Sequence, residues 1–467
     1  MKIYFLAPDG IGVRNYLYSD IIKHLKGHKI GLIHSLPEDA VNEIKVVHPI
    51  DISVIRMPAQ TESFIMKLCA DISYRARVTR NGRLVKNRNL INTNLKHNAA
   101  LKKSVVYNAY TQLIVWFSKI ASYSLPFMNK LDEYYNKQGM KQPQFQQLRQ
   151  EILLHSPDVI LCTHQRAANA GIVMTIARQL NIKTIAVVYS WDNLPKSRIT
   201  FLADKYFVWS DYMKKELNTY FPTIKDEAIH ITGTPQFEIF RKKEFYWTRS
   251  QFLKHFNLPD NRKIICFSGG DLLSANDQYY LEDLADAVYS LPEQDRPFIL
   301  VRPAPVDPSG RLARVCDKFP DLLRLGVPEW KKQTASNSFE AYYSTYKDLE
   351  VLTNVCLHCD TIVNIGSTMG LDFAHFNKPA IYLNYPIDPN PNPYYLIHEI
   401  YGLQHFRTLQ DLDGIVWVYK KEDLANKIVE VLTKPNEVAT ERLKWKKLLT
   451  NDITDATKNI AAILSCE

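Results

Sequence analysis

The sequence predicts an α/β protein built from two doubly wound parallel-sheet domains facing a cleft, with a helical insertion in the first. Three observations predict it. Short apolar runs alternate with helical spacings in both halves, which is the signature of successive βαβ units. The alternation pauses in a charged, aromatic connection from Thr234 to Leu258, and it also disappears from about residue 60 to 150. At 467 residues the chain is too long for one ordinary core. The boundaries that follow are a first domain over 1–235 with its insertion at about 60–150, a second over 236–440, and a C-terminal helix over 441–467 that packs back on the first.

The elements follow in order. KIYFLAP is a first buried strand, and its apolar run ends at Pro8 and Asp9, too soon for a signal-peptide core. DGIGVRN is a turn. Tyr16, Ile21, Ile22 and Leu25 share a helical spacing, so a helix is expected from Tyr16 to Leu25. KIGLIHS is the second strand. In the insertion, Val106, Tyr110, Leu113, Phe117 and Ile120 recur at intervals of three and four, which predicts helix. DVILCT, KTIAVVYS, KYFVWS and AIHITG are then strands, with helices over Ala167–Leu180 and Asp211–Asn218. In the second half KIICFSG, PFILVRP, TIVNIG, PAIYLNY and IVWVYK are strands. Helices are expected over Asn276–Ser290, up to Cys359, over Thr368–Asn377, over Lys421–Thr433, and in one long charged run at the C-terminus. PIDPNPNPYY is a loop signature.

Composition narrows the class. Hydrophobic residues make up 46% and charged residues 23%, as in a folded globular chain rather than a disordered one. The longest apolar candidate, Val105 to Phe127, is interrupted by Asn108, Gln112, Lys119 and Pro126, so it is not a membrane span. Seven cysteines without a pairing pattern fit free thiols in a reducing compartment, and a cytoplasmic location is expected. Cys356 and Cys359 form a CxxC without the second pair that a zinc site needs. The net charge of +9 is concentrated: between Asp71 and Asp132 there are eleven Lys and Arg and no acid. Such a concentration points to an anionic partner.

Four clusters stand at expected strand ends, where open α/β sheets bind ligands. The first is Asn364-Ile365-Gly366-Ser367-Thr368-Met369-Gly370, a strand-to-helix turn. Its amides and hydroxyls suit a phosphate, and its Ser367 and Thr368 equally suit plain helix caps. The second is Phe267-Ser268-Gly269-Gly270-Asp271, whose glycines either cradle a diphosphate or make a tight turn. The third runs from Val301 to Asp307, where Arg302 pairs with a phosphate or with a carboxylate. The fourth is Gly233-Thr234-Pro235. In the first half, the turn Asp9 to Asn15 lacks the third glycine of a dinucleotide fingerprint. The loop Ser190 to Arg198 joins Trp191 and Asp192 to the cations Lys196 and Arg198, a set suited to stacking and ringing a sugar, or simply to packing. His164 follows the strand DVILCT.

These residues carry a family resemblance. THQR, YSWDNLPKSR and GTPQFEIF, within Asp158–Phe240, resemble the GT-B glycosyltransferases of bacterial surface-polysaccharide assembly. IVNIGSTMGLDFAHFNKPAIYLNY resembles their donor-binding segment, and is also similar to the matching part of teichoic-acid glycerophosphotransferases and UDP-N-acetylglucosamine 2-epimerases. The resemblance covers roughly residues 1–50 and 155–430. It implies a nucleotide-sugar donor on the second domain and an acceptor on the first, with the reaction in the cleft between; neither a cofactor nor a metal is expected. Donor binding then falls to Gly233, Thr234, Ser268, Gly269, Gly270, Arg302, Gly366, Ser367, Thr368, Met369 and Asp372, and acceptor binding to Arg14, Trp191, Lys196 and Arg198. Where some relatives carry His-Pro, this chain has Ala304-Pro305. Retaining relatives carry two Glu eight positions apart in the donor segment. Here only Asp372 stands near the second position, which favours inversion.

An inverting transfer needs a base for the acceptor hydroxyl. Asp9 is the first candidate, Asp192 the second and His164 the third. The one DxD, Asp411-Leu412-Asp413, does not follow an apolar strand, which argues against a metal-bridged donor. The basic stretch is expected to hold the chain on an anionic membrane surface through residues 75–130, since each Lys or Arg there contributes about 1 kcal/mol. Trp116, Phe117 and Tyr123 then sit at the interface, or else pack in the core. A glycerophosphotransferase or a sugar-nucleotide epimerase of the same architecture is the alternative function. A nucleic-acid-binding protein is a remote one, because only Tyr74 accompanies the basic residues 75–103 as a stacking group.

Overall fold

The computed structural model describes residues 1–96, 105–196, 198–270, 276–333, 339–388 and 396–467. The expectations that fall on Lys102, Lys103, Ser197, Asp271 and the loop 389–395 therefore lie outside the described residues. The chain divides into two compact units, one of Met1–Gln236, Leu403–His405 and Leu449–Glu467, the other of Phe237–Gly402 and Phe406–Leu448.

The first unit opens with β1 (Lys2–Ala7), α1 (Ile21–His24), β2 (Lys29–His34), α2 (Glu38–Val47) and β3 (Ile52–Arg56). Five helices then intervene, α3 (Phe64–Leu84), α4 (Arg88–Lys96), α5 (Val105–Ala121), α6 (Leu125–Met140) and α7 (Pro143–His155), which are the expected insertion. The sheet resumes with β4 (Val159–Cys162), α8 (Ala168–Gln179), β5 (Lys183–Val187), β6 (Lys205–Val208), α9 (Asp211–Tyr220) and β7 (Ile229–Ile231). All seven strands are parallel, in the order β3-β2-β1-β4-β5-β6-β7. The central strands are apolar along their whole length because both faces of a parallel sheet are covered. Ile3, Leu6, Ile160 and Leu161 are accordingly fully buried.

The second unit continues with α10 (Arg249–Phe256), β8 (Ile264–Ser268), α11 (Asp277–Tyr289), β9 (Phe298–Arg302), α12 (Arg311–Lys318) and β10 (Leu323–Leu325). A small hairpin of β11 (Trp330–Lys332) and β12 (Tyr342–Ser344) follows. Then come α13 (Tyr346–His358), β13 (Thr361–Asn364), α14 (Met369–Ala374), β14 (Ala380–Leu383), α15 (Ile397–Tyr401), β15 (Val416–Val418), α16 (Leu424–Thr433) and α17 (Ala439–Thr450). Its parallel sheet has six strands in the order β10-β9-β8-β13-β14-β15. The last helix, α18 (Ala456–Leu464), belongs to the first unit.

Three expected elements differ. The helix from Tyr16 to Leu25 is a five-residue π-turn over Val13–Leu17 followed by the four-residue α1. Side chains interrupt it: Ser19 donates to the Tyr16 carbonyl at 2.9 Å, and His48 Nε2 bonds the Leu17 carbonyl at 2.7 Å. The single C-terminal helix is two, because Asn451 and Asp452 adopt left-handed φ values of 51° and 52°. The helix from Thr368 is only six residues long, and Asn377, at φ 53°, keeps the chain from resuming it.

Candidate active site

In each sheet the strand order reverses once, between β1 and β4 in the first and between β8 and β13 in the second. Crevices at such switch points are where open α/β sheets take ligands. In the first unit the two strand ends are drawn together. Thr163, just after β4, donates its amide and its hydroxyl to the Leu6 carbonyl at 3.0 and 2.9 Å. Gly12 permits this approach, since a Cβ there would lie 2.2 Å from Thr163 Oγ1. Asp9 and His164 consequently meet, and Nδ1 of His164 donates to Asp9 Oδ2 at 2.6 Å. The other Asp9 oxygen accepts from the Ile11 amide at 3.0 Å. Tyr189, past β5, meets the imidazole edge-on at 4.7 Å.

What this end of the sheet leaves unsatisfied matters as much. Nε2 of His164 and both polar atoms of the Gln165 amide are buried without a hydrogen-bond partner. Buried polar groups are nearly always paired, and each exception asks for an explanation, a bound ligand being one. Sequence reasoning missed Gln165, as it missed Arg166 and Asn193, which bond each other at 3.0 Å beside Tyr189. The THQR run contained the first two, but an isolated Gln or Arg has no spacing to betray it.

The loop from Ser190 to Arg198 corrects several expectations. Trp191 is 3% exposed and packs edge-on against His405 at 5.5 Å, so it is core rather than an open stacking platform. Asp192 is ion-paired with Lys196 and accepts from Ser190 and Asn193 at 2.5 and 3.0 Å. Burial alone would raise its carboxyl, but the Lys196 ammonium and these donors hold it far below the usual carboxylate range. A carboxylate so engaged by Lys196, Ser190 and Asn193 is poorly placed to take a proton from an acceptor. Arg198 is buried and turned into the insertion, where it donates to the Ala70 carbonyl at 2.9 Å and pairs with Asp132 at 3.4 Å. Asp132 also takes hydrogen bonds from Arg77 and Ser73, both at 2.8 Å. Arg198 is therefore a brace, not an acceptor ligand. Arg14 is half-buried and bonds its neighbour Asn15 at 3.1 Å.

In the second unit Ser268 and Ser367 close the ends of the paired strands β8 and β13, their hydroxyls 3.3 Å apart, with Met369 Sδ 3.2 Å from Ser268 Oγ. Gly366 has φ 72°, and a Cβ there would lie 2.7 Å from the Phe406 ring. The Ser367 amide is taken by Asn364 Oδ1 at 3.0 Å and the Met369 amide by Ser367 Oγ at 3.3 Å. Thr368 is exposed, and Asp372 is buried in the first turn of α14. Asn364 Nδ2 is buried without a hydrogen-bond partner, so this switch point too carries an unsatisfied amide.

The remaining donor candidates are more occupied than expected. The Gly269 amide bonds the Arg302 carbonyl at 2.9 Å, and the Gly270 amide bonds the Asp277 carboxylate, so both glycine amides are already taken. Arg302 lies in a buried ion pair with Asp348, and its Nη1 is buried without a hydrogen-bond partner. Gly233 and Thr234 stand at the end of β7, in the first unit, where the side chain of Ile453 would lie 2.6 Å from a Gly233 Cβ. The four clusters thus do not ring one sheet edge; three belong to the second sheet and the fourth to the first. A cavity of about 660 Å³ opens beyond β14 and β15, lined by Tyr279, Asp283, Tyr385, Tyr419 and Lys421, and none of the expected donor residues lines it.

Among solved structures, the UDP-GlcNAc 2-epimerase of Neisseria meningitidis, bound to UDP-GlcNAc, is similar with a TM-score of 0.54 at 11% identity over 100% of both chains. The epimerase of Methanocaldococcus jannaschii gives 0.53 at 11% identity, again over 100% of both. The chain has the GT-B fold. The structure of S. aureus MnaA with UDP is similar too, at TM-score 0.52 and 11% identity over 99% of this chain and 95% of that one. Residues 73–235 match the family model of monogalactosyldiacylglycerol synthase, a span that contains most of the insertion, His164, Gln165 and the Tyr189–Arg198 loop. The family model matched along much of the first unit is that of a synthase, so that likeness is to an enzyme, while the structural matches carry the fold. No curated protein matches the chain.

Proposed function

We propose that this chain is a glycosyltransferase that moves a sugar from a nucleotide-sugar donor to a hydroxyl of a glycan or lipid-linked acceptor, with inversion and without a metal, in cell-surface polysaccharide assembly. The observation that carries the reading is the Asp9–His164 pair, with unpartnered His164 Nε2 and Gln165 beside it at the switch point of the first sheet. An imidazole whose Nδ1 is held by a carboxylate keeps Nε2 as the proton acceptor. Of the three candidate bases, geometry therefore favours His164, with Asp9 orienting it.

In this mechanism the acceptor oxygen attacks the anomeric carbon while its proton passes to His164 Nε2. The bond to the nucleoside diphosphate breaks, and the diphosphate leaves with the electron pair. Gln165 offers both a donor and an acceptor for sugar hydroxyls near the base. The donor is assigned to the switch point of the second sheet, where Asn364 Nδ2, Ser268, Ser367 and Arg302 Nη1 supply donors for phosphate and uracil-type oxygens. Support for a UDP-linked sugar comes from the printed ligands of the Neisseria and S. aureus structures. Support for a lipid acceptor comes from the name of the matched family, whose product is a galactosylated diacylglycerol. The basic stretch 75–130 would then hold the chain at the inner face of the cytoplasmic membrane.

Incubation with labelled UDP-, GDP- and CDP-linked donors, with and without a membrane-lipid extract, tests the proposal. Label is expected in the lipid or glycan fraction with wild-type protein and not with His164→Ala. A sugar that changes configuration without any acceptor would replace this reading with an epimerase.

A further inference from the structure

We infer that the outward face of α5, continued by the start of α6, is a membrane-inserting surface that seats the chain in the plane of an anionic bilayer. Helix α5 is apolar on two sides. Its inner side, with Ile114 and Ala121, packs with Ile72, Ala76 and Met128 of the insertion core. Its outer side carries Leu113, Trp116, Phe117 and Ile120, at the i, i+3, i+4, i+7 spacing of one helical face, and all four are exposed, Trp116 at 56%. Beyond the turn, Tyr123 is 80% exposed and Phe127 is exposed as well. A globular surface does not expose so contiguous an apolar face without a use for it. The aromatics are therefore not core residues, which decides between the two fates open to them in the sequence.

Charge complementarity selects the occupant. Lys119 and Lys130 are exposed beside this face, and Arg83 lies over the Tyr123 ring at 3.8 Å. There is no acid between Asp71 and Asp132 to offset them. A second copy of the chain would bring the same cations against themselves, which disfavours a two-fold contact. An anionic lipid surface meets both needs, since its headgroups pair with the cations and its acyl boundary takes the aromatic and aliphatic side chains. Among the described residues no helix is long and apolar enough to cross a membrane, so the contact lies in the interface plane. The structure also trims the basic stretch, because Arg77 is buried on Asp132 and cannot reach lipid.

Flotation of the full-length chain tests this, using vesicles of phosphatidylcholine alone and of phosphatidylcholine with phosphatidylglycerol. No sugar donor is added, so a failed transferase reading leaves the result interpretable. Wild-type protein is expected to float with the anionic vesicles. Trp116→Glu/Ile120→Glu is expected to lower that binding by about tenfold or more with an unchanged melting temperature. Lys119→Glu/Lys130→Glu is expected to lower binding to anionic vesicles. Failure of wild type to float, or undiminished flotation of Trp116→Glu/Ile120→Glu, would overturn the inference. So would a wild-type dimer that this double variant dissociates, because the face would then belong to a second copy.

Discussion

Nη2 of Arg302 reaches both carboxylate oxygens of Asp348, at 2.8 and 3.1 Å, and both side chains are buried in the second unit. Asp348 also accepts from the Glu329 amide at 2.9 Å and the Trp330 indole at 2.8 Å, so one carboxylate ties β9, α13 and the approach to the β11–β12 hairpin. Removing one partner of such a pair strands the other charge. Arg302→Met is expected to destabilise the second unit by about 3–5 kcal/mol. The double variant with Asp348→Leu should cost much less than the sum of the single changes, as read by urea unfolding.

Replacing His164 tests the base. His164→Ala is expected to lower kcat by about 10²–10⁴-fold with a small change in KM for the donor. Asp9→Asn retains a hydrogen-bonding side chain but removes the charge that orients the ring. It should lower kcat less than His164→Ala, and combining the two should add little. Steady-state kinetics on the three variants decides the ordering.

Glu216 provides a signature of the first unit in alkali. Burial raises its carboxyl to about 8, despite the Tyr212 hydroxyl that donates to it at 2.9 Å. Folded protein thus keeps this proton up to about pH 8, whereas the unfolded chain releases it near 4.5. Between those values the folded state binds more protons, so stability falls as pH rises, with a slope of up to about 1.4 kcal/mol per pH unit. Glu216→Gln is expected to match wild type near pH 4.5 and to melt higher at pH 8–9, by scanning calorimetry.

Three histidines act at the opposite end of the scale. Burial lowers His34 to about 4, and His375 and His405 to about 3. They stay neutral in the folded chain while unfolded histidine takes up a proton near 6.5. Here the unfolded state binds more protons, so stability should fall as pH drops from about 6.5 towards 4. His375 stacks on Phe237 at 4.1 Å, and His375→Phe should flatten part of that loss in a series of melting temperatures across this window.

The strand-end approach is open to a steric test. Gly12→Ala would put a methyl 2.2 Å from Thr163 Oγ1 and should separate Asp9 from His164. A stability loss of about 1–3 kcal/mol and a fall in kcat are expected, both relieved in part by adding Thr163→Ala.

Much of the architecture was legible because parallel strands buried on both faces read as short apolar runs. KIYFLA, VILC, IICFS and TIVN all lie where those runs stand. Strand β3 was not legible, since only Ile52 and Ile55 of ISVIR are buried, and an edge strand gives a weaker pattern. The site was legible as positions but not as relationships. Asp9 and His164 were each visible at a strand end, 155 residues apart, and only the switch-point topology brings them into contact. Arg302 and Arg198 were legible as cations but not as members of buried ion pairs, for the same reason. A cation beside a loop looks available until a carboxylate such as Asp348 or Asp132 arrives from another element. Gln165 and Asn364 became conspicuous only through what their amides lack.

Asp132 closes the acid-free stretch of sequence and buries its charge between Arg77 and Arg198. The Ser190–Arg198 segment is thereby moored at its far end like a stay cable on a mast. Swinging it aside would leave Arg77 as the sole cation on an interior carboxylate. Movement of that segment would therefore have to break a buried ion pair. Under the proposed transferase reading, a change of acceptor would arise more readily by exchanging side chains along this moored segment than by lengthening its swing.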